Sequence, residues 1–387
     1  MTAPARQALR FTHIHLENWR NFSEVDVDLQ RRVFLVGPNA SGKSNFLDVL
    51  RFLHDMVSVG GGFREAVRKR GGVSSLRCLA ARRYPHIAVA VTVGSEETPT
   101  AWGYEVRFTQ DNLRQPILTK ERVVRDGTEI LLDRPDEDDE KDPDRLAQTH
   151  LEQINVNRAF RDVADFLQSV RYMHIVPQLV RDPDRSIGRR EDPFGGDFLE
   201  QIARTTERTR NARLRRITDA LRVAVPQLTQ LEPFRGERGT PHLRGRYEHW
   251  RPQGAWQTEE LFSDGTLRLL GLLWAVQVGS GPLLLEEPEL SLHPGVVRFI
   301  PQMLARIQRA SGRQVLLSTH STDLLSDEGI GQDEVLLLIP ELEGTRVQPA
   351  SAFREIRELL EGGVSMAEAV IPRTRPRQAQ QLTLFGE

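Results

Sequence analysis

Cysteine is the scarcest feature of this chain: Cys78 is alone among 387 residues. No internal disulfide can form, and a reducing, cytoplasmic compartment is expected. Lysine is nearly as rare, since of 52 basic residues all but Lys43, Lys69, Lys120 and Lys141 are arginines. That bias suits forked recognition of phosphate, and it follows equally from a GC-rich genome. No apolar run approaches the length of a bilayer span, and the opening "MTAPARQALRF" has no signal-peptide core. Membrane association is therefore not expected. Neither sign of charge dominates, with a formal net charge of −2, so any nucleic-acid surface must be local. Sustained heptads are absent too, which excludes a long coiled coil.

What remains reads as an ordinary globular α/β chain, 39% hydrophobic and 27% charged. "FTHIHLENWRNF" and "EVDVDL" alternate apolar and polar residues, the pattern of two antiparallel strands. Residues 63–83 are Gly/Arg-rich and expected to be irregular. "HIAVAVTVG", "AWGYEVRFTQ", "ILTKERVVRD" and "EILLDR" form a meander, followed by an acidic run, Asp133 to Asp144. That run lacks apolar anchors and is expected to be a solvated loop. Helical patterns follow near Leu151–Val170 and Leu199–Val225. Beyond Pro241, "PLLLEEP", "VLLSTH" and "DEVLLLIP" are apolar runs separated by helical spacers. They suggest a mostly parallel sheet covered on both faces.

The chemistry is concentrated in four short stretches. "GPNASGKS" fits G-x-x-x-x-G-K-[ST] completely and lies between a strand and a helix. Gly37, Pro38, Asn39, Ala40, Ser41, Gly42, Lys43, Ser44 and Asn45 would cradle the phosphates of ATP. Lys43 would reach the β- and γ-phosphates, and Ser44 would supply a ligand to Mg²⁺. In "PLLLEEP" a buried strand ends in adjacent acids whose side chains must point to opposite sides. Glu286 is the candidate to orient Mg²⁺, and Glu287 the candidate general base. His320 closes "VLLSTH", placed to contact the γ-phosphate or hold the attacking water. Finally, "FSDGTLRLLGLLWAV" sets a polar turn before an apolar helix, with Ser263 as N-cap.

Together these stretches resemble the ABC-type ATPase superfamily, in particular its soluble RecF/SMC/OLD-like branch of bacterial AAA-type ATPases. "LENWRNF" is similar to that branch's N-terminal strand-turn, which implies that Arg20 lies near the nucleotide. "LSLHP" resembles the D-loop and "STHS" the H-loop. "FSDGT" stands where the family carries its signature loop, which implies that Ser263 and Gly265 contact ATP bound by a second subunit, in trans. The resemblance also implies a Q-loop residue near Mg²⁺, for which Gln178 after "RYMHIVP" is the candidate. Three positions depart from the pattern: Asp264 for a glycine, Glu286 for an aspartate, and His293 for the D-loop aspartate.

The fold expected is a P-loop NTPase with an ABC-ATPase-like head, a mixed or parallel sheet flanked by helices, interrupted by a compact α+β insertion. Residues 1–60 and 241–350 would form the head, 61–240 the insertion, and 351–387 a C-terminal helix and tail. A homodimer sandwiching two ATP molecules is expected. DNA contact is suggested by the arginines of "RTTERTRNARLRRITDALR", with "FREAVRKRGG" as a second basic patch. The tail "QQLTLF" is similar to sliding-clamp-binding peptides through Gln381, Leu382, Leu384 and Phe385. The chain ends soon after His320, without the nuclease domain of OLD-type relatives, so any effector is expected on a separate protein. The function expected is ATP hydrolysis linked to DNA repair, replication or anti-phage defence, the alternative being an energising subunit of a non-DNA assembly.

Overall fold

The computed structural model describes residues 8–80, 86–186, 192–248 and 255–374. The clamp-like peptide at residues 381–385 lies outside the described residues. Among the described residues fifteen strands carry the fold: β1 (Arg10–Trp19), β2 (Phe22–Asp28), β3 (Arg32–Val36), β4 (Ile87–Gly94), β5 (Trp102–Gln110), β6 (Pro116–Arg125), β7 (Glu129–Arg134), β8 (Arg171–Met173), β9 (Leu228–Arg235), β10 (Pro241–Tyr247), β11 (Ala255–Thr258), β12 (Leu283–Glu286), β13 (Val315–Thr319), β14 (Val335–Glu341) and β15 (Gly344–Pro349). Three helices matter for the site: α1 (Lys43–Val57), α2 (Glu207–Ala224) and α3 (Asp264–Ala275).

The central sheet runs β15-β14-β3-β13-β12-β8 and is parallel except for the β14–β15 hairpin. Its inner strands are buried almost throughout and largely apolar because both faces are covered. Alternation sorts their side chains into two cores. Leu284 and Leu316 pack on one face with α1 and the strands of the antiparallel sheet, whereas Leu283, Leu285, Val315 and Leu317 pack on the other with α3. The antiparallel sheet, β2-β1-β4-β5-β6-β7, closes over α1, where Phe52 meets Trp19 and Phe108. A three-stranded sheet, β11-β10-β9, packs with α2 beside the start of α3.

Residues 61–240 are thus shared among all three sheets. Strands β4–β7 extend the sheet begun by β1 and β2, and β8 is the edge strand of the central sheet. The division between head and insertion drawn along the sequence does not follow a sheet boundary.

Two local expectations need correction. The acidic run is not a solvated loop throughout: Asp136 caps a short helix, Glu137–Lys141, and Asp139 is buried. Arg134 binds Asp139 through two nitrogens and reaches Glu121 at 3.1 Å, so the acid is held by a buried counter-charge rather than by water. The stretch after Phe63 is also partly ordered, with short helices at Phe63–Arg68 and Val73–Leu76. There Arg70 pairs with Asp48 and Asp55, and Arg68 with Glu65, so much of the second basic patch is spent on internal ion pairs.

Candidate nucleotide site

Parallel strands all end at one edge, and that edge gathers the motif residues. The in-register pairing of β3, β13 and β12 sets Val36 beside Thr319 and Ser318 beside Glu286. Each chain exit therefore emerges next to another: Gly37 after β3, His320 after β13, Glu287 after β12 and His174 after β8.

The phosphate loop is built by two left-handed residues, Ala40 (φ 62°) and Gly42 (φ 98°). A side chain at Gly42 would overlap Asn21, whose amide donates to Ser41 O (2.9 Å) and to Thr345 Oγ1 (2.8 Å). Asn45 donates in turn to Asn21 Oδ1 at 2.7 Å. Asn21 thereby ties the β1–β2 turn, the loop and β15 together. Arg20, at φ 51°, sends its guanidinium to Asp48 of α1 at 3.1 Å.

Lys43 Nζ donates to the loop's own carbonyls, Gly37 O at 2.9 Å and Pro38 O at 3.2 Å. Burial lowers its pKa, while Glu287, Glu289 and Glu286 pull the other way. Ser41 Oγ is buried and has no hydrogen-bond partner. An ammonium held only by backbone carbonyls and an orphaned buried hydroxyl suit an incoming phosphate.

Glu286 and Glu287 diverge as strand geometry requires. Glu286 accepts from Ser44 Oγ through one carboxylate oxygen and from the Tyr172 hydroxyl through the other. Burial first, and Glu286 second, raise the Tyr172 pKa, so the phenol stays a donor; Arg51 lies over its ring at 5.2 Å. Paired hard oxygens on Ser44 and Glu286 fit a divalent cation such as Mg²⁺. Glu287 turns away with φ 41°, its amide donating to Ser318 O at 3.1 Å. Its Oε1 lies 3.1 Å from His320 Nδ1. Behind them Glu289 is buried, bonded through one oxygen to Thr319 Oγ1 while Oε2 has no partner, and burial raises its pKa.

Gln178 lies on the exposed side of a short helix, Pro177–Val180, and among the described residues no hydrogen bond joins it to Ser44 or Glu286. The side chains that do reach Glu286 from this strand and its exit are Tyr172 and His174, the latter 3.3 Å from Glu286 O. Sequence inspection passed over both. The legible signal was their spacing of two across the end of a strand, which turns both toward one side.

Ser263 caps α3, accepting from Thr266 N at 3.1 Å. It is exposed, and among the described residues no hydrogen bond connects it or Gly265 with residues 37–45. Arg181 fastens the loop, donating to Phe262 O and Asp264 Oδ1, each at 2.6 Å. Buried Glu259 anchors the approach through His242 (2.6 Å) and Leu243 N (2.9 Å). A Cβ on Gly265 would lie 2.5 Å from Ser291 O, so the turn that opens α3 and the stretch at Ser291 pack backbone to backbone. His293 caps the short helix Pro294–Val297 by accepting from Gly295 N at 3.0 Å. Among the described residues, no helix is long and apolar enough to cross a membrane.

A family model described as "AAA domain, putative AbiEii toxin, Type IV TA system" matches residues 32–327. Over 47 residues the chain is 43% identical to Endonuclease GajA of Bacillus cereus (strain VD045), a stretch covering 12% of this chain and 8% of that protein. Among solved structures, an SMC head bound to the C-terminal winged-helix domain of ScpA matches at a TM-score of 0.54. Identity is 13%, with 87% of this chain and 96% of that one covered. An SMC head with an extended coiled coil, bound to the ScpA C-terminal domain and derived from Pyrococcus furiosus, matches at 0.53. There identity is 11%, over 91% of this chain and 100% of that one. At such identities the likeness is one of fold.

Proposed function

The chain belongs to this AAA domain family, with the fold of an SMC ATPase head, and on that premise we propose that it binds MgATP and hydrolyses it between two copies of itself. One observation carries the reading: a single sheet edge joins Lys43 and Ser44, the Ser44–Glu286–Tyr172 chain, and the Glu287–His320 pair. In this reading Gly37–Asn45 enclose the phosphates and Lys43 exchanges its carbonyl contacts for phosphate oxygens. Ser44 and Glu286 hold Mg²⁺, which would neutralise charge on the transferred phosphoryl group. Glu287 takes the proton of the attacking water, and His320 orients that carboxylate and receives part of the developing charge. Arg20 acts by positioning α1 through Asp48.

Ser263 and Gly265 serve the nucleotide of the second copy. The exposure of Ser263 at the start of α3 and the rigid seat of Gly265 on Ser291 support that role. The load is DNA in this proposal, in repair or anti-phage defence with the effector on a separate protein, and the endonuclease likeness favours it over a non-DNA assembly. The test is the ATPase rate of the purified protein with and without linear duplex DNA, at low and moderate salt. A several-fold stimulation that fades with salt supports the proposal. Slow turnover indifferent to DNA points to the non-DNA assembly, and no turnover at all ends the ATPase reading.

A further inference from the structure

At the opposite edge of the central sheet, where β8 and β12 begin, positive charge collects without a counter-ion. Arg313 is 1% exposed. Its Nε donates to Gly281 O (2.7 Å) and its Nη1 to Ala275 O (2.9 Å), while Nη2 has no partner. Arg171 flanks the same turn: a Cβ on Gly279 would lie 3.0 Å from Arg171 Nε and 3.8 Å from Arg313 Nη2. Arg213, on α2, stacks over Trp274 at 5.5 Å, one residue from the carbonyl that Arg313 caps. Arg216 is exposed one turn further along α2. Among the described residues none of these four makes an ion pair. Burial first, and then the charges of Arg171 and Arg216, lower the Arg213 pKa.

Arg171 and Arg313 meet at the Gly279 turn, and Arg171 and Arg216 lie close enough to Arg213 to bear on its charge, a guanidinium cluster that suits an anion. We propose that Arg171, Arg213 and Arg216 bind the phosphodiester backbone of duplex nucleic acid, at a site remote from the nucleotide, with the buried charge of Arg313 behind them adding to the local positive potential. Exposed Arg208 and Arg215 continue the basic surface along α2. From Arg208 to Arg216 the helix rises about 12 Å, the axial span of roughly three to four phosphates at ~3.4 Å each. Trp274, the ring under Arg213, is itself 1% exposed, so it offers no stacking platform of the kind single strands use, and a duplex backbone fits better. Arg171 immediately precedes Tyr172, which holds Glu286. A ligand that pulls on Arg171 therefore bears directly on the Mg²⁺-holding carboxylate, a route by which DNA accelerates turnover. That route rests on the ATPase reading; the binding site itself does not.

The test is fluorescence anisotropy of a labelled linear duplex with the full chain, from 50 to 200 mM salt. Replacing both Arg171 and Arg213 by Gln should weaken binding on the order of tenfold or more and flatten the log–log salt slope by about 1.8. Replacing both by Lys should retain most of the affinity, and basal ATPase without DNA should be unchanged in each. If the Gln pair does not fold, Arg216→Gln alone carries the test with a several-fold loss. A wild-type chain that does not bind the duplex, or Gln variants that bind it equally well, would overturn the site. So would displacement of the duplex by inorganic phosphate at matched ionic strength, which would mark a free-phosphate pocket. Arginine-dependent duplex binding in a chain that turns over no ATP would leave this site standing and sink the ATPase reading instead.

Discussion

His320 Nδ1 lies 3.1 Å from Glu287 Oε1, joining the ends of β13 and β12 across the mouth of the phosphate loop. Strand pairing brings the two together, because parallel register aligns Ser318 with Glu286 and leaves Glu287, one residue on, and His320, two residues on, to meet beyond the sheet. Glu287→Gln keeps this contact's shape and removes the proton acceptor. Turnover should fall by roughly 10²–10⁴ while ATP binding persists. The variant should accumulate as a dimer in saturating MgATP, read by light scattering; a monomer under those conditions would count against the trans role of Ser263.

Lys43→Ala removes the only side-chain cation in the phosphate loop. A charge-assisted bond to phosphate is worth about 1.5–3 kcal/mol, so affinity for ATP should drop at least about tenfold. Titration with a fluorescent ATP analogue measures this directly, and undiminished affinity would refute the phosphate-loop assignment.

Tyr172→Phe leaves the strand intact and strips one donor from Glu286. Partners behind a metal-holding residue typically tune affinity by about 10–100-fold. The Mg²⁺ concentration needed for tight nucleotide binding should therefore rise, with the maximal rate recovering at high Mg²⁺. A loss of maximal rate with unchanged Mg²⁺ dependence would instead make Tyr172 part of the chemistry.

Gly265→Ala drives a methyl group against Ser291 O, a backbone atom that cannot swing aside. The turn that opens α3 should separate from the stretch at Ser291, lowering dimer formation and turnover severalfold. ATP binding by the monomer should be untouched, since the loop makes no hydrogen bond with residues 37–45. Sedimentation with and without MgATP distinguishes the two effects.

Acid should loosen the antiparallel sheet through His150. Burial, then Arg134, lower its pKa to about 4, against about 6.5 in an unfolded chain. The folded state resists the proton, so this contribution is present above pH 6.5 and lost as pH falls toward 4. It amounts to at most about 3 kcal/mol. Asp139, lowered to about 2 chiefly by Arg134, adds a loss of the same sign at still lower pH. Buried Glu121, whose pKa is raised by desolvation, acts in the opposite direction and offsets part of it. His150→Gln should flatten the melting temperature between pH 6.5 and 4; a profile identical to wild type would place the acid-sensitive group elsewhere.

Sequence by itself determined whatever depends on a few consecutive residues. Alternation marks β1, β2 and the β4–β7 meander, and unbroken apolar runs mark β12, β13 and β14. The phosphate loop is legible because two left-handed positions and a helix start dictate its residue types. Ser263 as a helix cap is local in the same way. The opposite facing of Glu286 and Glu287 follows from strand periodicity alone.

Tertiary structure decided which distant groups each side chain meets. Tyr172 reaches Glu286 because β8 lies against β12 across a separation of over a hundred residues. Asp139 leaves a run that reads as solvated because Arg134 and Glu121 await it in the core. Arg70 is absorbed by Asp48 and Asp55, whereas among the described residues Arg171, Arg213 and Arg313 make no ion pair at the far edge of the sheet. Charge composition is a property of the chain; whether a charge is paired depends on which neighbours folding brings within a few ångströms.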